Sequence, residues 1–349
     1  MGSLVYRHWH EGLNPDECVS VDGDAPGRLH LSHWPGNRTP VALRSDLSTG
    51  SCLQLNKQPD REQLLAGITT VTNNHWDTDG LLSAFVLLNP ELAREHAPLL
   101  YSAAMSGDFD LFTTPEAVKI NLTLTALSKH KFSPVRTGLY GTALEARQAQ
   151  YEYGLKLMSK LLENPELHAD WIAQEFWAIM RDMRAIREDK VRIKHIEHAD
   201  MVVVTGDRHY HTMAVNTSAD VGRVLTVVTL ERGWLYEFRF TTRSWFDMVT
   251  RPLRRPRGDL ARAARLLNHL APGYGGIWVA DDPEEPLARL CFQDPQGNLV
   301  PNETRPVDVT NLILSGTWVP DPRLDALAQR PPGADVGPEN ARVEPKTGS

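Results

Sequence analysis

The stretch "GITTVTNNHWDTDGLLSAFVLLNP", residues 67–90, constrains the fold more than any other. It opens β-branched, as a strand does, breaks into a turn rich in Asn and Asp, and resumes as a helix apolar on nearly every side, as one packed beside a sheet would be. A strand that passes through a short loop into a covering helix is the building unit of an α/β domain. The turn is also chemically loaded. His75, Asp77 and Asp79 alternate, and in an extended segment alternate residues point the same way. The three side chains can therefore converge at the carboxyl end of the strand, the edge where open α/β sheets place ligands. Gly80 reads as the residue that lets the backbone turn tightly, and Ser83 as part of the helix's first turn. Two carboxylates and an imidazole suit Mn²⁺, Mg²⁺ or Fe²⁺ better than a thiophilic metal, and without a cation such a grouping is electrostatically costly. The plainer alternative is an Asx-rich turn that caps the following helix.

The rest of the chain supports a layered fold. "ECVSVDGD" and "RLHLSHWPGN" read as strands, one ending in an acidic turn at Asp22, the other at His33 before a Pro-Gly turn. "PVALRSDLSTG" reads as a third extended piece. Helical rhythm then continues into two long amphipathic helices, "ALEARQAQYEYGLKLMSKLLEN" and "NPELHADWIAQEFWAIMRDMRAIREDK". Beyond a charged boundary near residues 186–195, "ADMVVVTG", "YHTMAVNTS", "RVLTVVTLE" and "WLYEFRFTTR" read as a run of antiparallel strands, and "DLARAARLLNHLAP" as a helix. The expected architecture is an α/β domain over residues 1–190, with a mostly parallel sheet flanked by helices. A smaller α+β domain follows over 191–322, and a Pro- and Gly-rich disordered tail over 323–349.

Composition narrows the function classes. A formal charge of -7 argues against a generally basic surface for duplex nucleic acid. Three scattered cysteines, Cys18, Cys52 and Cys291, form no C-x-x-C pair, which disfavours a thiolate zinc site and a disulfide scaffold. With no apolar run long enough for a bilayer and no signal-peptide core, a cytoplasmic protein without membrane contact is expected.

The pattern H-x-D-x-D-G-x-x-S over His75, Asp77, Asp79 and Ser83 resembles the first motif of the DHH phosphoesterase superfamily. The family's later motifs find counterparts upstream, in the family's order. Asp22 ends one strand, Ser32-His33-Trp34 stands where the family has Asp-His-His, and Ser48-Thr49 stands where an S-T pair opens a helix. The chain thus looks like a circularly permuted relative. The resemblance implies two divalent ions, Mn²⁺ or else Mg²⁺ or Fe²⁺, held by Asp22, His33, His75, Asp77 and Asp79. It further implies hydrolysis of a phosphodiester or phosphoanhydride in a small phosphorylated compound or nucleotide, with His75, Asp79 and His33 in catalytic roles. Ser32 and Trp34 depart from the pattern and leave room for a second reading, a metal- or nucleotide-binding protein without turnover. Asp24 and Asp46 are the carboxylates nearest in sequence that would replace the lost one. A scaffold whose acidic strand ends are only caps is a third.

Other residues carry weaker signals. Asp108 in "SGDFDLF" reads first as a helix-ending turn, with Gly107 as C-cap, and second as a late ligand or substrate contact. His209 and His211 in "GDRHYHTM" fit a polar hairpin, with His209 a substrate contact if the domains close. Arg254 and Arg257, in a basic cluster with Arg251 and Arg255, match a phosphate group. Ser83 joins them as a substrate candidate. Trp34 and Trp76 each flank a ligand candidate and would wall the pocket or stack a base.

Overall fold

The structure is a computed structural model that describes residues 4–251 and 256–318. It divides into two compact units. One runs through Val191 and takes in two later segments, Tyr210–Gly222 and the stretch that begins at Thr241; the other holds Arg192–His209, Arg223–Phe240 and the chain from Pro256.

The first unit is built on four short parallel strands, β1 (Val5–Tyr6), β2 (Cys18–Val21), β3 (Leu29–Leu31) and β4 (Thr70–Thr72), in the order β1-β4-β2-β3. Strands β2, β3 and β4 are buried along their whole length, as expected of a parallel sheet covered on both faces. Parallel neighbours need long crossovers, and the stretch from β3 to β4 carries α1 (Ser48–Lys57) and α2 (Arg61–Leu64). The helices α3 (Thr78–Leu88), α4 (Pro90–Glu95), α5 (Ala97–Asp108), α6 (Pro115–Leu127), α7 (Ala143–Glu163) and α8 (Ala169–Arg187) follow β4. Helix α3 is buried from Thr78 to Leu87, which explains why its sequence is apolar on every side. Helix α6 opens on the Thr114 side-chain cap with Pro115 in its first turn, and α7 on a capping box between Thr142 and Glu145.

"PVALRSDLSTG" is not extended. Val41–Leu43 is a 3-10 turn, and Ser48 starts α1. The helix wins because its first amides find a buried carboxylate, as described below.

The second unit holds a mixed sheet of β5 (Arg192–Ile196), β6 (Met201–Gly206), β7 (Arg223–Thr229), β8 (Trp234–Phe240), β9 (Ile277–Ala280) and β10 (Arg289–Gln293), ordered β5-β6-β7-β8-β10-β9. Helices α10 (Leu260–Leu270) and α11 (Pro306–Trp318) belong to this unit. The sheet is antiparallel except between β6 and β7, which run parallel. That pairing rules out the hairpin expected at "GDRHYHTM" and requires a crossover. "YHTMAVNTS" accordingly contains α9 (Thr212–Ser218) rather than a strand; His211 accepts from the Met213 amide as its cap, and Met213, Ala214 and Val215 are buried. The tail expected over 323–349 lies outside the described residues. Among those residues no helix is long and apolar enough to cross a membrane, and Cys18, Cys52 and Cys291 are buried and free.

Candidate metal centre

Because the strands of the first sheet are parallel, their carboxyl ends open on one edge, and β2, β3 and β4 deliver polar residues there. Asp22 follows β2, Ser32 and His33 follow β3, and Asn73 to Asp77 follow β4. The loop after β2 is forced against the loop after β4. Asp22 and Gly23 both adopt left-handed backbone, φ 49° and 83°, and a Cβ on Gly23 would lie 2.4 Å from Asn74 Oδ1 and 3.1 Å from His75 Nδ1.

The side chains form two triads that share Asp22. Asp22, His33 and Asp79 make a buried inner triad; Asp22, His75 and Asp77 make a half-buried outer one. In each, the ligand atoms lie within 4.8 Å of one another. His75 Nε2 is 3.0 Å from Asp22 Oδ2 and 2.7 Å from Asp77 Oδ2. His33 Nε2 is 3.6 Å from Asp22 Oδ1 and 3.7 Å from Asp79 Oδ2. Asp22 Oδ2 and His33 Nε2 are buried, yet neither completes an aligned hydrogen bond. Buried polar atoms without an aligned hydrogen bond are rare and call for a reason. Carboxylate oxygens and imidazole nitrogens aimed at common points are the donor set of a hard or borderline divalent cation.

Each ligand candidate is held from behind. The Asp79 carboxylate accepts from the Ser48 amide at 2.7 Å and the Thr49 amide at 2.8 Å, so the first turn of α1 grips it through the free amides of a helix N-terminus. The Ser48 hydroxyl donates to Asp22 Oδ1 at 2.9 Å. Asp77 caps α3, its Oδ1 accepting from the Gly80 amide at 2.8 Å, while its Oδ2 faces His75. The capping alternative and the ligand reading therefore describe two oxygens of one residue. His33 Nδ1 lies 2.6 Å from the Asp46 carbonyl, which fixes the proton on Nδ1 and turns Nε2 toward the carboxylates.

The charges are strongly coupled. Burial works against ionisation of Asp22, but the His75 imidazole beside it, with His33 and Ser48, holds its carboxyl at about 2. Burial and the Asp22 charge push Asp79 up to about 6. Burial opposes a charged His33, but Asp108, Asp79 and Asp22 raise it to about 9. His75 is likewise raised well above its ordinary value, against burial, by Asp77 and Asp22. In the metal-free protein, protons on the imidazoles do the neutralising that a cation would otherwise do.

Asp108 is brought into this centre. Its Oδ2 lies 3.0 Å from His33 Nε2, and burial with the Asp79 charge raises its carboxyl well above the usual range. The expected Gly107 C-cap is not there: Gly107 is inside α5, Phe109 holds the cap position, and a Cβ on Gly107 would sit 3.0 Å from Thr78 Cβ. Helix α5 thus runs two residues further than its glycine suggests and carries Asp108 to the site.

Other candidates are placed elsewhere or already occupied. Ser83 is buried and meets Thr49 Oγ1 at 3.4 Å, below Asp79. Ser32 is no substitute ligand: its amide donates to Thr39 Oγ1 at 2.8 Å and its hydroxyl accepts from the Trp34 amide at 3.1 Å. Neither Asp24 nor Asp46 replaces the missing carboxylate, since Asp24 is bound by the Asn74 side chain and Asp46 by the Thr250 amide and hydroxyl. Trp34 packs 4.9 Å from the His75 ring, and Trp76 lies edge-on to Tyr151. His209 and Arg257 belong to the second unit. The Arg257 guanidinium donates to the carbonyls of Pro283 and Pro286 at 2.8 and 2.5 Å and lies over the Phe240 ring, a structural role. His211 Nε2 meets Glu175 at 2.8 Å. Arg254 and Arg255 lie outside the described residues.

Sequence patterns gave no sign of the segment Thr242–Thr250, which closes the centre from behind. Thr242 donates to the Asp108 carbonyl, Phe246 stacks on His33 at 3.8 Å, the Asp247 amide donates to the His33 carbonyl at 2.7 Å, and Thr250 binds Asp46. The one available hint was the aromatic pair Trp245-Phe246 in a stretch that otherwise reads as loop.

Compared with known proteins, the chain matches no curated protein and no solved structure. One family model matches residues 4–307, a span that includes every member of both triads. On that match the chain belongs to DUF6687, a family of unknown function.

Proposed function

We propose that the protein is a divalent-metal-dependent hydrolase of phosphodiester or phosphoanhydride bonds, a permuted relative of the DHH phosphoesterases acting on a small phosphorylated compound or nucleotide. One observation carries the reading: Asp22 is common to two ligand triads, as a carboxylate bridging two ions must be. Asp79 and His33 would complete the inner position, Asp77 and His75 the outer one. Divalent ions held there, Mn²⁺ foremost and Mg²⁺ or Fe²⁺ as alternatives, would lower the pKa of a water and neutralise phosphoryl oxygens. The chain's own part is preorganisation: α1 fixes Asp79, the Asp46 carbonyl sets the His33 tautomer, and Asp77 is locked as a helix cap. Three unpaired, buried thiols favour a reducing compartment, and we place the protein in the cytoplasm.

A second reading, a binding protein without turnover, is favoured by Ser32 and Trp34, because the hydroxyl of one is spent on the backbone of the other and the indole cannot coordinate. Metal analysis of the purified protein, followed by hydrolysis assays with Mn²⁺ on bis-p-nitrophenyl phosphate, pyrophosphate and cyclic dinucleotides, separates the two. The expected result is bound metal and turnover, both lost in Asp22→Asn. Bound metal with no turnover across the panel would favour the second reading. No metal, and no thermal shift on adding Mn²⁺, would sink both.

A further inference from the structure

Tyr151 carries a buried hydroxyl beside the first turn of α3. It lies on α7 at 0 % exposure, its ring stacked on Tyr6 at 4.2 Å and met edge-on by Trp76 at 5.2 Å. Both contacts hold the ring, and the stack brings the Tyr6 hydroxyl beside that of Tyr151. Among the described residues nothing completes an aligned hydrogen bond to Tyr151 Oη, the stacked rings leaving the Tyr6 hydroxyl out of line, whereas a buried tyrosine hydroxyl usually finds a partner.

The surroundings of Gly80 show where this hydroxyl points. A Cβ built on Gly80 would lie 2.6 Å from Tyr151 Oη, 2.6 Å from Asn73 Nδ2 and 3.0 Å from Asp77 Oδ1. The phenol hydroxyl and the Asn73 amide therefore gather at the first turn of α3, an eleven-residue helix, beside the residue that caps it and belongs to the outer triad. Asn73 is itself oriented, because its Oδ1 accepts from the His75 amide at 2.8 Å and its Nδ2 lies 3.5 Å from His75 Nδ1, which leaves the second Nδ2 hydrogen to donate. Two donors and the amide end of a helix beside the outer position make a receptor for an oxyanion. The nearby carboxylates would repel an anion unless a cation were bound first.

We propose that Tyr151 donates a hydrogen bond to a phosphoryl oxygen of the ligand at the outer triad, with Asn73 Nδ2 as second donor. This rests on the metal-dependent phosphoester reading above, and makes Tyr151 a substrate-contacting residue. Tyr151→Phe keeps the ring and both aromatic contacts and removes only the hydroxyl. Inorganic phosphate titrated calorimetrically into the Mn²⁺-loaded protein should bind about ten-fold more weakly to the variant, with unchanged Mn²⁺ stoichiometry. The metal-free variant should melt higher than the parent, because a buried hydroxyl without a partner has been removed. Tyr6→Phe is the control. The Tyr6 hydroxyl meets His8 Nδ1 at 3.1 Å, so this change should lower the melting temperature and leave phosphate affinity alone. Equal phosphate affinity in Tyr151→Phe and parent, both loaded with Mn²⁺, would overturn the proposal and leave the metal reading standing. A lower melting temperature for metal-free Tyr151→Phe would also overturn it, by showing the hydroxyl satisfied within the fold. A parent that takes up no Mn²⁺ would remove the metal reading itself, and this assignment with it.

Discussion

Replacing Gly80 by alanine asks whether the motif glycine is there for conformation or for room. Gly80 sits inside α3 and is not among the residues with positive φ, so the tight turn expected from sequence is not its role. In a helix interior alanine is better than glycine by about 1 kcal/mol, and on conformation alone the variant should be more stable. Space reverses the sign. The new methyl would lie 2.6 Å from Tyr151 Oη and Asn73 Nδ2 and 3.0 Å from Asp77 Oδ1, about 1 Å inside ordinary carbon contact distance for the first two. Neither neighbour can swing away: Asn73 and Tyr151 are both at 0 % exposure, and Tyr151 is held by Tyr6 and Trp76. Overpacking of this kind costs ~1–3 kcal/mol, and the strained Asp77 cap adds to it. After the helix gain, a net loss of about 1–2 kcal/mol remains, or roughly 1–3 °C in melting temperature for a chain of this size. Differential scanning calorimetry of the metal-free protein reads the stability, and a Mn²⁺ titration reads the Asp77 displacement as weaker uptake at the outer triad. A Gly80→Ala variant that melts at or above the parent would refute the steric account and return the glycine to an ordinary helix position.

Two further outcomes follow from the same geometry. His33 is raised to about 9, Asp79 to about 6, and His75 is raised as well. A folded-state value above the unfolded one gives stability that is full below the unfolded value and is lost as pH rises through the folded one. In EDTA the melting temperature should therefore fall from about pH 6.5 to 9 as His33 loses its proton, whereas with saturating Mn²⁺, which needs deprotonated ligands, the stabilisation by metal should grow over the same range. A metal-induced shift that shrinks with rising pH would contradict the assignment of His33 as a ligand. Thr250→Val removes the hydroxyl that binds Asp46, whose carbonyl orients His33. It should cost ~1–2 kcal/mol and weaken Mn²⁺ at the inner triad, with Thr250→Ser restoring both; unchanged Mn²⁺ binding would show that His33 is positioned without it.

The parts of the fold legible in sequence were those where local chemistry and tertiary packing agree. "GITTVTNNHWDTDGLLSAF" gave a strand, a turn and a buried helix because β-branching, Asx residues and an all-round apolar run each say one thing. "YHTMAVNTS" misled because alternating apolar residues suit a strand, while the parallel register of β6 and β7 demands a crossover that no local pattern encodes. Ser48-Thr49 in "DLSTG" has no side-chain cap before it. Its helix starts because Asp79, thirty residues later, supplies the missing acceptor. β1 is a two-residue strand recruited by β4 and is too short for any periodicity to reveal.

The centre divides along the same line. Asp22, His33, His75, Asp77 and Asp79 were visible because each ends a strand or opens a helix, and parallel strands deliver such ends to one edge. Asp108 and the segment behind His33 were not, because they arrive from a helix end and a later loop, where sequence spacing carries no geometry. That division bears on the carboxylate that the proposed DHH relationship would place at Ser32. Sequence proximity pointed to Asp24 and Asp46, and both are occupied. The carboxylate that faces His33 Nε2 comes instead from Asp108, about seventy-five residues downstream and on the opposite side of the first motif. Under the proposed DHH relationship, a carboxylate absent at Ser32 would be supplied in space by a residue with no motif of its own. The inner triad then has acidic character on both sides of His33, and the departure at Ser32 weighs less against metal binding than the bare sequence suggests.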